Sequence, residues 1–288
     1  MNVGMIGLGL LGRAIAGRLM DAGHTVTGYD ISDSANAAAR EQGVAVAVNA
    51  VAAVADCTHV ILSLLTSEDR RQLLWGEQNL SKALAQGMVL LDTTTARPQD
   101  IREDHARLSG ENGARLIDVC ISGSSQVVAE GRALALIGDE EDRANYLDLL
   151  RTFTARQYFF GDPGDGNEAK LIVNLVFGLN RLVLAEALGL ARRAGFDLDP
   201  ILEILRNGET YSTVMDTKGP KMVAGNYEPP VARLGQHAKD VQLILEYARG
   251  LHAKVPLTEV HAAILDRLIE LGYGDLDNAA VFKAYDQR

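Results

Sequence analysis

Only two cysteines, Cys57 and Cys120, occur in 288 residues. Two thiols cannot build a disulfide framework or a structural zinc site, so both are expected to be small apolar residues of a chain kept in a reducing cytoplasm. Aromatic residues are scarce at 5 %, with one tryptophan, Trp75, and no platform for stacking single-stranded nucleic acid is visible. Positive charge is in deficit: 28 Lys and Arg stand against 38 Asp and Glu, a net charge of −10, and no basic cluster offsets it locally. Nucleic-acid affinity is mostly phosphate neutralisation, so nucleic acid is not an expected partner. The six histidines (His24, His59, His105, His237, His252, His261) form no HxxxH or HExxH pair, and no metal is expected. His237, close before Lys239, reads as a helix-surface residue, with a place facing the site as the alternative. No Gly-x-Ser-x-Gly or Cys/His arrangement suggests a nucleophile enzyme. The opening Met-Asn-Val-Gly-Met-Ile-Gly lacks a basic signal-peptide start, and Gly7, Gly9 and Gly12 interrupt its apolar stretch. Neither a leader nor a membrane span is expected there, and the chain reads as soluble and cytoplasmic.

What is present is the composition of a folded protein of about two domains, 47 % hydrophobic and 23 % charged. The first half alternates short apolar runs with helical patterns, the signature of a doubly wound parallel sheet with helices on its faces. Strands are expected at Val3–Ile6, Thr25–Tyr29, His59–Leu64, Met88–Leu91, Arg115–Val119, Leu134–Ile137 and Gln157–Phe160. Helices are expected at Leu10–Ala22 and Asp33–Gln42, and Glu140-Glu141-Asp142 reads as a helix start, where acids suit the positive dipole end. Beyond about Asp165 strand signals vanish, and one helix of about 28 residues is expected over Asn167–Ala194. Its Leu171, Ile172, Val173, Leu175, Val176, Phe177 and Leu179 point in all directions, so burial on most sides is expected. Further helices are read at Pro200–Arg206, Ser212–Ala224, Leu234–Leu251 and Thr258–Leu271. The reading is a Rossmann-type domain over residues 1–163 and an all-α domain over 164–288, joined by the long helix. So apolar a helical domain is expected to bury surface against a copy of itself, as a homodimer or homotetramer.

Gly7-Leu8-Gly9-Leu10-Leu11-Gly12 lies between the first strand and the first helix, the context a dinucleotide fingerprint requires. Gly7 permits a tight turn, Gly9 lets the backbone approach a pyrophosphate, and Gly12 lets helix and strand pack closely. The helix N-terminus offers unpaired N–H groups to the phosphates. Asp30 ends the second strand, 18 residues after Gly12, where an acid accepts hydrogen bonds from the ribose hydroxyls and repels a 2′-phosphate. NAD is therefore expected in preference to NADP, which stays possible.

Lys170 and Asn174, four residues apart, share one helix face, and Asn167 adds to the same polar stripe on an otherwise apolar helix. Buried polar groups need partners, and a carbonyl substrate is one candidate. A lysine in such a place shifts its pKa down readily and can exchange a proton near neutral pH. Spacing alone also allows Lys170 to snorkel to solvent or to pair with Glu168 or an interface acid.

Five ordered segments carry a resemblance to a known family. Ile6-Gly-Leu-Gly-Leu-Leu-Gly12 with Gly23-His24-Thr-Val26 forms the first, and Asp92-Thr93-Thr94-Thr95 with Pro98 is similar to a D-x-S-T-x-x-P segment. Asp118-Val-Cys-Ile-Ser122-Gly123-Ser124 is similar to D-A-P-V-S-G-G. Gly161-Asp-Pro-Gly164-Asp-Gly166-Asn-Glu-Ala-Lys170-Leu-Ile-Val-Asn174 matches G-x-x-G-x-G-x-x-x-K-x-x-x-N, and Lys239-Asp240-Val241 stands where K-D-L is found. Together they resemble the β-hydroxyacid dehydrogenases, the family of 3-hydroxyisobutyrate dehydrogenase, tartronate semialdehyde reductase and the glyoxylate/succinic semialdehyde reductases.

The resemblance implies a hydride transfer between a nicotinamide cofactor and a small 3-hydroxyacid or its semialdehyde partner, with Lys170 carrying the proton. It implies that Ser122, Gly123, Ser124 and Asn174 bind substrate. Besides the glycine segment (Gly7, Leu8, Gly9, Leu10, Leu11, Gly12) and Asp30, it implies that Leu64, Leu65, Thr94 and Lys239 belong to the cofactor side. Departures cluster near the substrate segment: Ser124 replaces a glycine, Cys120 a proline, and Val127-Val128 a Gly-Ala pair. Tyr211, Ser212 and Thr213 are further candidates for a pocket. An imine reductase or a phosphogluconate-type enzyme would share the fold. Lys170 weighs against the first, and the lack of a basic cluster against the second. A non-catalytic dinucleotide-binding module would have no use for Lys170 and Asn174 on one face.

Overall fold

The apolar runs of the first half pair into one eight-stranded sheet in the computed structural model, which describes residues 1–140 and 143–286. In chain order the elements are β1 (Asn2–Ile6), α1 (Leu10–Asp21), β2 (Thr25–Tyr29), α2 (Asp33–Glu41), β3 (Ala45–Val46), α3 (Ala50–Val54), β4 (His59–Leu62) and α4 (Ser67–Trp75). There follow β5 (Val89–Asp92), α5 (Pro98–Asn112), β6 (Arg115–Ser122), α6 (Ser125–Ala129), β7 (Ala133–Gly138), α7 (Ala144–Arg151) and β8 (Thr154–Phe159). The expected helix start at Glu141-Asp142 lies outside the described residues.

The strand order is β3-β2-β1-β4-β5-β6-β7-β8. The order of strand addition reverses at β1, which pairs in parallel with β2 (Ile6↔Tyr29) and with β4 (Ile6↔Leu62). The loops leaving β1 and β4 therefore part at the carboxyl edge, where open α/β sheets make their ligand crevice. β4 and β5 are buried at every residue, as strands covered on both faces must be. The sheet is parallel except at β6 and β7, which run antiparallel with Asp118 opposite Gly138. The ten residues between Ser122 and Ala133 are too few for a parallel crossover.

Helix starts are written locally. Ser32 and Asn49 accept from the N–H groups of Ala35 and Ala52, and Thr66 with Asp69 forms a reciprocal capping box. Helices α4 and α5 escape a periodicity reading because charged residues occupy their buried faces. Arg70 of α4 is fully buried and donates to Asp92 of β5 (2.6 Å) and to Asp104 of α5 (2.6 and 2.9 Å).

The structure divides into two compact units, Met1–Lys170 and Leu171–Arg288. Helix α8 (Asp165–Arg193) contributes its first turn and a half to the former. The helical unit continues with α9 (Leu198–Asn207), α10 (Thr213–Thr217), α11 (Gly219–Ala224), α12 (Leu234–Gly250) and α13 (Pro256–Glu270). Its core is built by residues such as Leu184, Leu188, Val214, Met222, Leu265 and Phe282. The single helix expected over Ser212–Ala224 is two, because Pro220 in the first turn of α11 cannot continue the hydrogen-bond ladder of α10.

Helix α8 also corrects the expectation of burial on most sides. Ile172, Val173, Val176, Phe177 and Val183 form an exposed apolar stripe, with Ile172 at 60 % and Val176 at 54 % exposure. The residues of one helical unit cover only the opposite side, and periodicity cannot say what covers the rest. By length and composition alone α8 could cross a membrane. Here its Asn167, Asn174 and Arg181 are buried in folded units, and it serves as a core helix.

Replacing Arg70 by Met would leave Asp92 a buried carboxylate without its cation and Asp104 with Arg71 alone. Urea unfolding should show a loss of roughly 3–5 kcal/mol, the cost of breaking a buried ion network from one side.

Candidate active site

The turn after β1 shows which glycines the chain itself needs. A Cβ on Gly7 would stand 2.2 Å from the Ser63 carbonyl oxygen, and one on Gly12 would stand 1.9 Å from that of Gly7. Gly9 differs: a Cβ there would meet nothing within 4 Å. It is the N-cap of α1 and supplies no side-chain cap to the first N–H groups of the helix. A pyrophosphate at that helix end fits what the residues offer.

Asp30 follows β2, and both of its oxygens are engaged by backbone. Oδ2 accepts from Leu8 N (2.7 Å) and Oδ1 from Ser32 N (2.8 Å). Asn36 fixes the same residue by accepting from Asp30 N and donating to Asp30 O. The carboxylate is thereby aimed from the second strand at the glycine turn. Leu8 is buried, whereas Leu10 is exposed at the start of α1 and Leu11 is half-buried. Beyond β4, Leu64 N donates to the Thr94 hydroxyl (3.3 Å) and Leu65 is 62 % exposed. Thr94 itself is buried and donates its N–H to Asp92 Oδ1 (3.0 Å).

Lys170 Nζ donates to the Ile121 carbonyl oxygen at 2.7 Å, which holds the amine at the end of β6 beside Ser122 and Gly123. Ser124 caps α6 by accepting weakly from Val127 N (3.4 Å). Glu168, a candidate partner for Lys170, accepts from Arg102 at 2.7 Å. In the helical unit Asn174 is buried and donates to Asp240 Oδ2 (3.1 Å), and Asp240 also pairs with Lys239 (3.2 Å). Tyr211 is exposed and donates to Asp216 (2.6 Å), while Ser212 and Thr213 begin α10. His237 is buried rather than on the helix surface, its ring 5.1 Å from that of His261. Cys120 is buried and Cys57 half-buried, neither in a disulfide.

The residue that seats Lys170 was not among the sequence candidates. Asp118, in the middle of β6, is fully buried. Its Oδ1 accepts from Gly164 N (2.9 Å), and its Oδ2 accepts from Asn167 N (2.7 Å) and Asn167 Nδ2 (3.2 Å). Asn167 Oδ1 in turn accepts from Ala96 N (2.8 Å). These bonds satisfy the first turn of α8 and fix its register one turn before Lys170. The available signal was an acid inside an apolar run, Leu116–Ile121, since a buried acid requires donors.

The chain is similar to known dehydrogenases over nearly its whole length. The family described as the NAD binding domain of 6-phosphogluconate dehydrogenase matches residues 2–161. The family described as NAD-binding of NADP-dependent 3-hydroxyisobutyrate dehydrogenase matches residues 164–285. The chain is 28 % identical to L-threonate dehydrogenase of Escherichia coli O6:H1, over 99 % of this chain and 94 % of that protein. It is 26 % identical to glyoxylate/succinic semialdehyde reductase 1 of Arabidopsis thaliana, over 99 % and 98 %. A crystal structure of 3-hydroxyisobutyrate dehydrogenase from Salmonella typhimurium, 25 % identical, superposes with a TM-score of 0.90 over 98 % of this chain and 99 % of that one.

Asp118 gives the site a pH signature. Burial outweighs its three donors and raises its pKa from 3.8 to about 6. An acid whose pKa rises on folding stabilises the folded chain while protonated, and that contribution is lost as pH climbs from 3.8 through 6. Its size is roughly 3 kcal/mol. In urea unfolding at several pH values, wild type minus Asp118→Asn should show this component falling across that window; parallel curves would contradict it.

Proposed function

The chain belongs to the β-hydroxyacid dehydrogenase family, typified by 3-hydroxyisobutyrate dehydrogenase, and from that premise we propose that it interconverts a small 3-hydroxyacid and its oxo or semialdehyde partner, with NAD preferred to NADP. The observation that carries the reading is Lys170, the proposed catalytic residue, held at the end of β6 by Ile121 beside the Ser122-Gly123-Ser124 segment. A bound nicotinamide dinucleotide supplies the hydride acceptor for oxidation and the donor for reduction.

The residues of the chain supply the rest. In oxidation Lys170 Nζ, as the neutral amine, takes the proton of the substrate hydroxyl while the C–H bond of the same carbon gives up hydride and a C=O bond forms. In reduction the ammonium returns that proton. Ser122 and the N–H groups of Gly123 and Ser124 hold the substrate carboxylate, and Asn174 orients the substrate through its amide, with Asp240 fixing the rotamer. Gly7 to Gly12, with Leu8, Leu10 and Leu11, cradle the dinucleotide. Leu64, Leu65, Thr94 and Lys239 complete its binding set. Asp30 offers its remaining lone pairs to the ribose hydroxyls and repels a 2′-phosphate. The Ser124 hydroxyl, whose oxygen caps α6, keeps its O–H to donate where the family carries glycine, which supports a polyhydroxy acid. The name of the threonate-oxidising relative points the same way. The low cysteine content supports a cytoplasmic location.

Initial rates with NAD⁺ and NADP⁺ across small 3-hydroxyacids, threonate included, test this reading. Turnover should favour NAD⁺, and Lys170→Ala should lower kcat by about 10²–10⁴-fold, the usual worth of a positioned acid–base group, with cofactor affinity retained. Cofactor binding without turnover of any acid would point to a non-catalytic dinucleotide module, and activity surviving Lys170→Ala would name a different proton carrier.

We further propose that the α8 stripe of Ile172, Val173, Val176, Phe177 and Val183 is covered by a second copy of the chain, in a homodimer or homotetramer. Light scattering should give at least twice the chain mass; a monomer at all concentrations would overturn it.

A further inference from the structure

Arg181 takes no part in the proposed chemistry. It lies 11 residues beyond Lys170 on α8, about 16 Å along the helix, too far to share a small substrate with that amine. The residue is fully buried, and none of Nε, Nη1 or Nη2 has a hydrogen-bond partner among the described residues. Its Cζ stands 5.3 Å from the centre of the Phe177 ring.

The acids that attract Arg181 are Asp277 and Asp240; each has a lysine of its own, and neither hydrogen-bonds the guanidinium. Asp277 accepts from Lys218 Nζ (2.8 Å), Val231 N (2.9 Å) and Ala279 N (3.0 Å), with Lys221 at 3.7 Å. Asp240 Oδ2 accepts from Asn174, and Oδ1 stands 3.2 Å from Lys239 Nζ as an ion pair without a hydrogen bond. Lys218 balances Asp277 and Lys239 balances Asp240, so the guanidinium is a surplus positive charge inside the helical unit. Burial lowers its pKa only to about 10, which leaves it protonated at neutral pH.

Two further buried polar atoms, on His261 and Thr258, lack a hydrogen-bond partner among the described residues. Burial and the Arg181 charge push His261 down to about 4, so it is neutral at pH 7. The two atoms are its Nε2 and the buried Thr258 hydroxyl oxygen of the same helix. Gly178, one turn before Arg181, makes room for this cluster. A Cβ there would stand 2.8 Å from His237 Cε1 and 3.0 Å from His261 Cε1. A buried cation whose N–H groups meet no acceptor among the described residues is costly as it stands, and water would satisfy the N–H groups without neutralising the charge.

We propose that the helical unit holds a small monovalent inorganic anion of the halide class, gripped by the Arg181 guanidinium with His261 Nε2–H as a further donor. Chloride is the natural probe and bromide its diffraction-visible equivalent. The site is separate from the dinucleotide and hydroxyacid sites proposed above.

Thermal unfolding of the whole protein in chloride-free gluconate buffer, with halide added at constant ionic strength, tests this. The wild-type midpoint should rise saturably, by roughly 2–5 °C at about 150 mM chloride or bromide. Arg181→Met should be insensitive to halide. Without halide it should be at least as stable as wild type, because it removes an unmatched buried charge; a purely structural arginine would do the opposite. Anomalous diffraction from bromide-soaked wild-type crystals needs no variant and should show a peak within hydrogen-bonding reach of Arg181. An unresponsive wild type, an equal response in Arg181→Met, stabilisation by acetate but not by halide, or crystals with water or a second copy's carboxylate at Arg181 would each overturn the proposal.

Discussion

One buried carboxylate determines where the long helix begins. Asp118 draws Gly164 N, Asn167 N and the Asn167 side chain onto the middle of β6, and Asn167 passes the contact on to Ala96. The first turn of α8 can lie this close because Gly138 and Gly166 carry no side chains. A Cβ on Gly138 would stand 2.3 Å from Asp118 Oδ1, and one on Gly166 would stand 2.7 Å from Gly138 N. With the turn so fixed, Lys170 reaches the carbonyl at the end of β6. Desolvation of the acid is the cost of this arrangement, visible in its raised pKa, and the donors it gathers offset that cost only in part.

The cofactor side rests on a different constraint, the crowding of β1, α1 and β4 around the glycine turn. Gly7 and Gly12 are required by the backbone of the protein itself, whereas Gly9 faces outward. The same three-residue pattern thus separates into two packing roles and one binding role. Asp30 is fixed by Leu8, Ser32 and Asn36, so the acid proposed to choose between the two dinucleotides is built into the turn it serves.

In the helical unit, polar residues are threaded through an apolar core rather than gathered at its surface. Asn174, Asp240 and Lys239 form one such set, and Lys218 with Asp277 another. Arg181 is left over between them, which is why it carries the anion proposal. The apolar stripe on the outer side of α8 is the complementary anomaly. Where polar groups are buried and apolar ones exposed, packing within a single chain is an incomplete account of the sequence.

Much of this was legible in the residues. Periodicity located the strands now seen as β1, β2, β4, β5, β6, β7 and β8, and most plainly β4 and β5, because strands covered on both faces are written as unbroken apolar runs. The glycine spacing, Asp30, and the placing of Lys170 and Asn174 on one helix were local facts, set by backbone sterics and a repeat of 3.6 residues. Helices α4 and α5 were not legible, since their buried faces carry Arg70 and Asp104, and an ion pair between distant segments leaves no periodic trace. Nor did the pattern show that β7 runs antiparallel, that Asp118 seats α8, or that His237 is buried beside His261. The sequence by itself determined most of the strands, the long helix and the chemical groups they carry. Only the tertiary structure decided which buried charges meet, because the partners lie tens of residues apart and a charge in an apolar interior is stabilised only by the group that arrives opposite it.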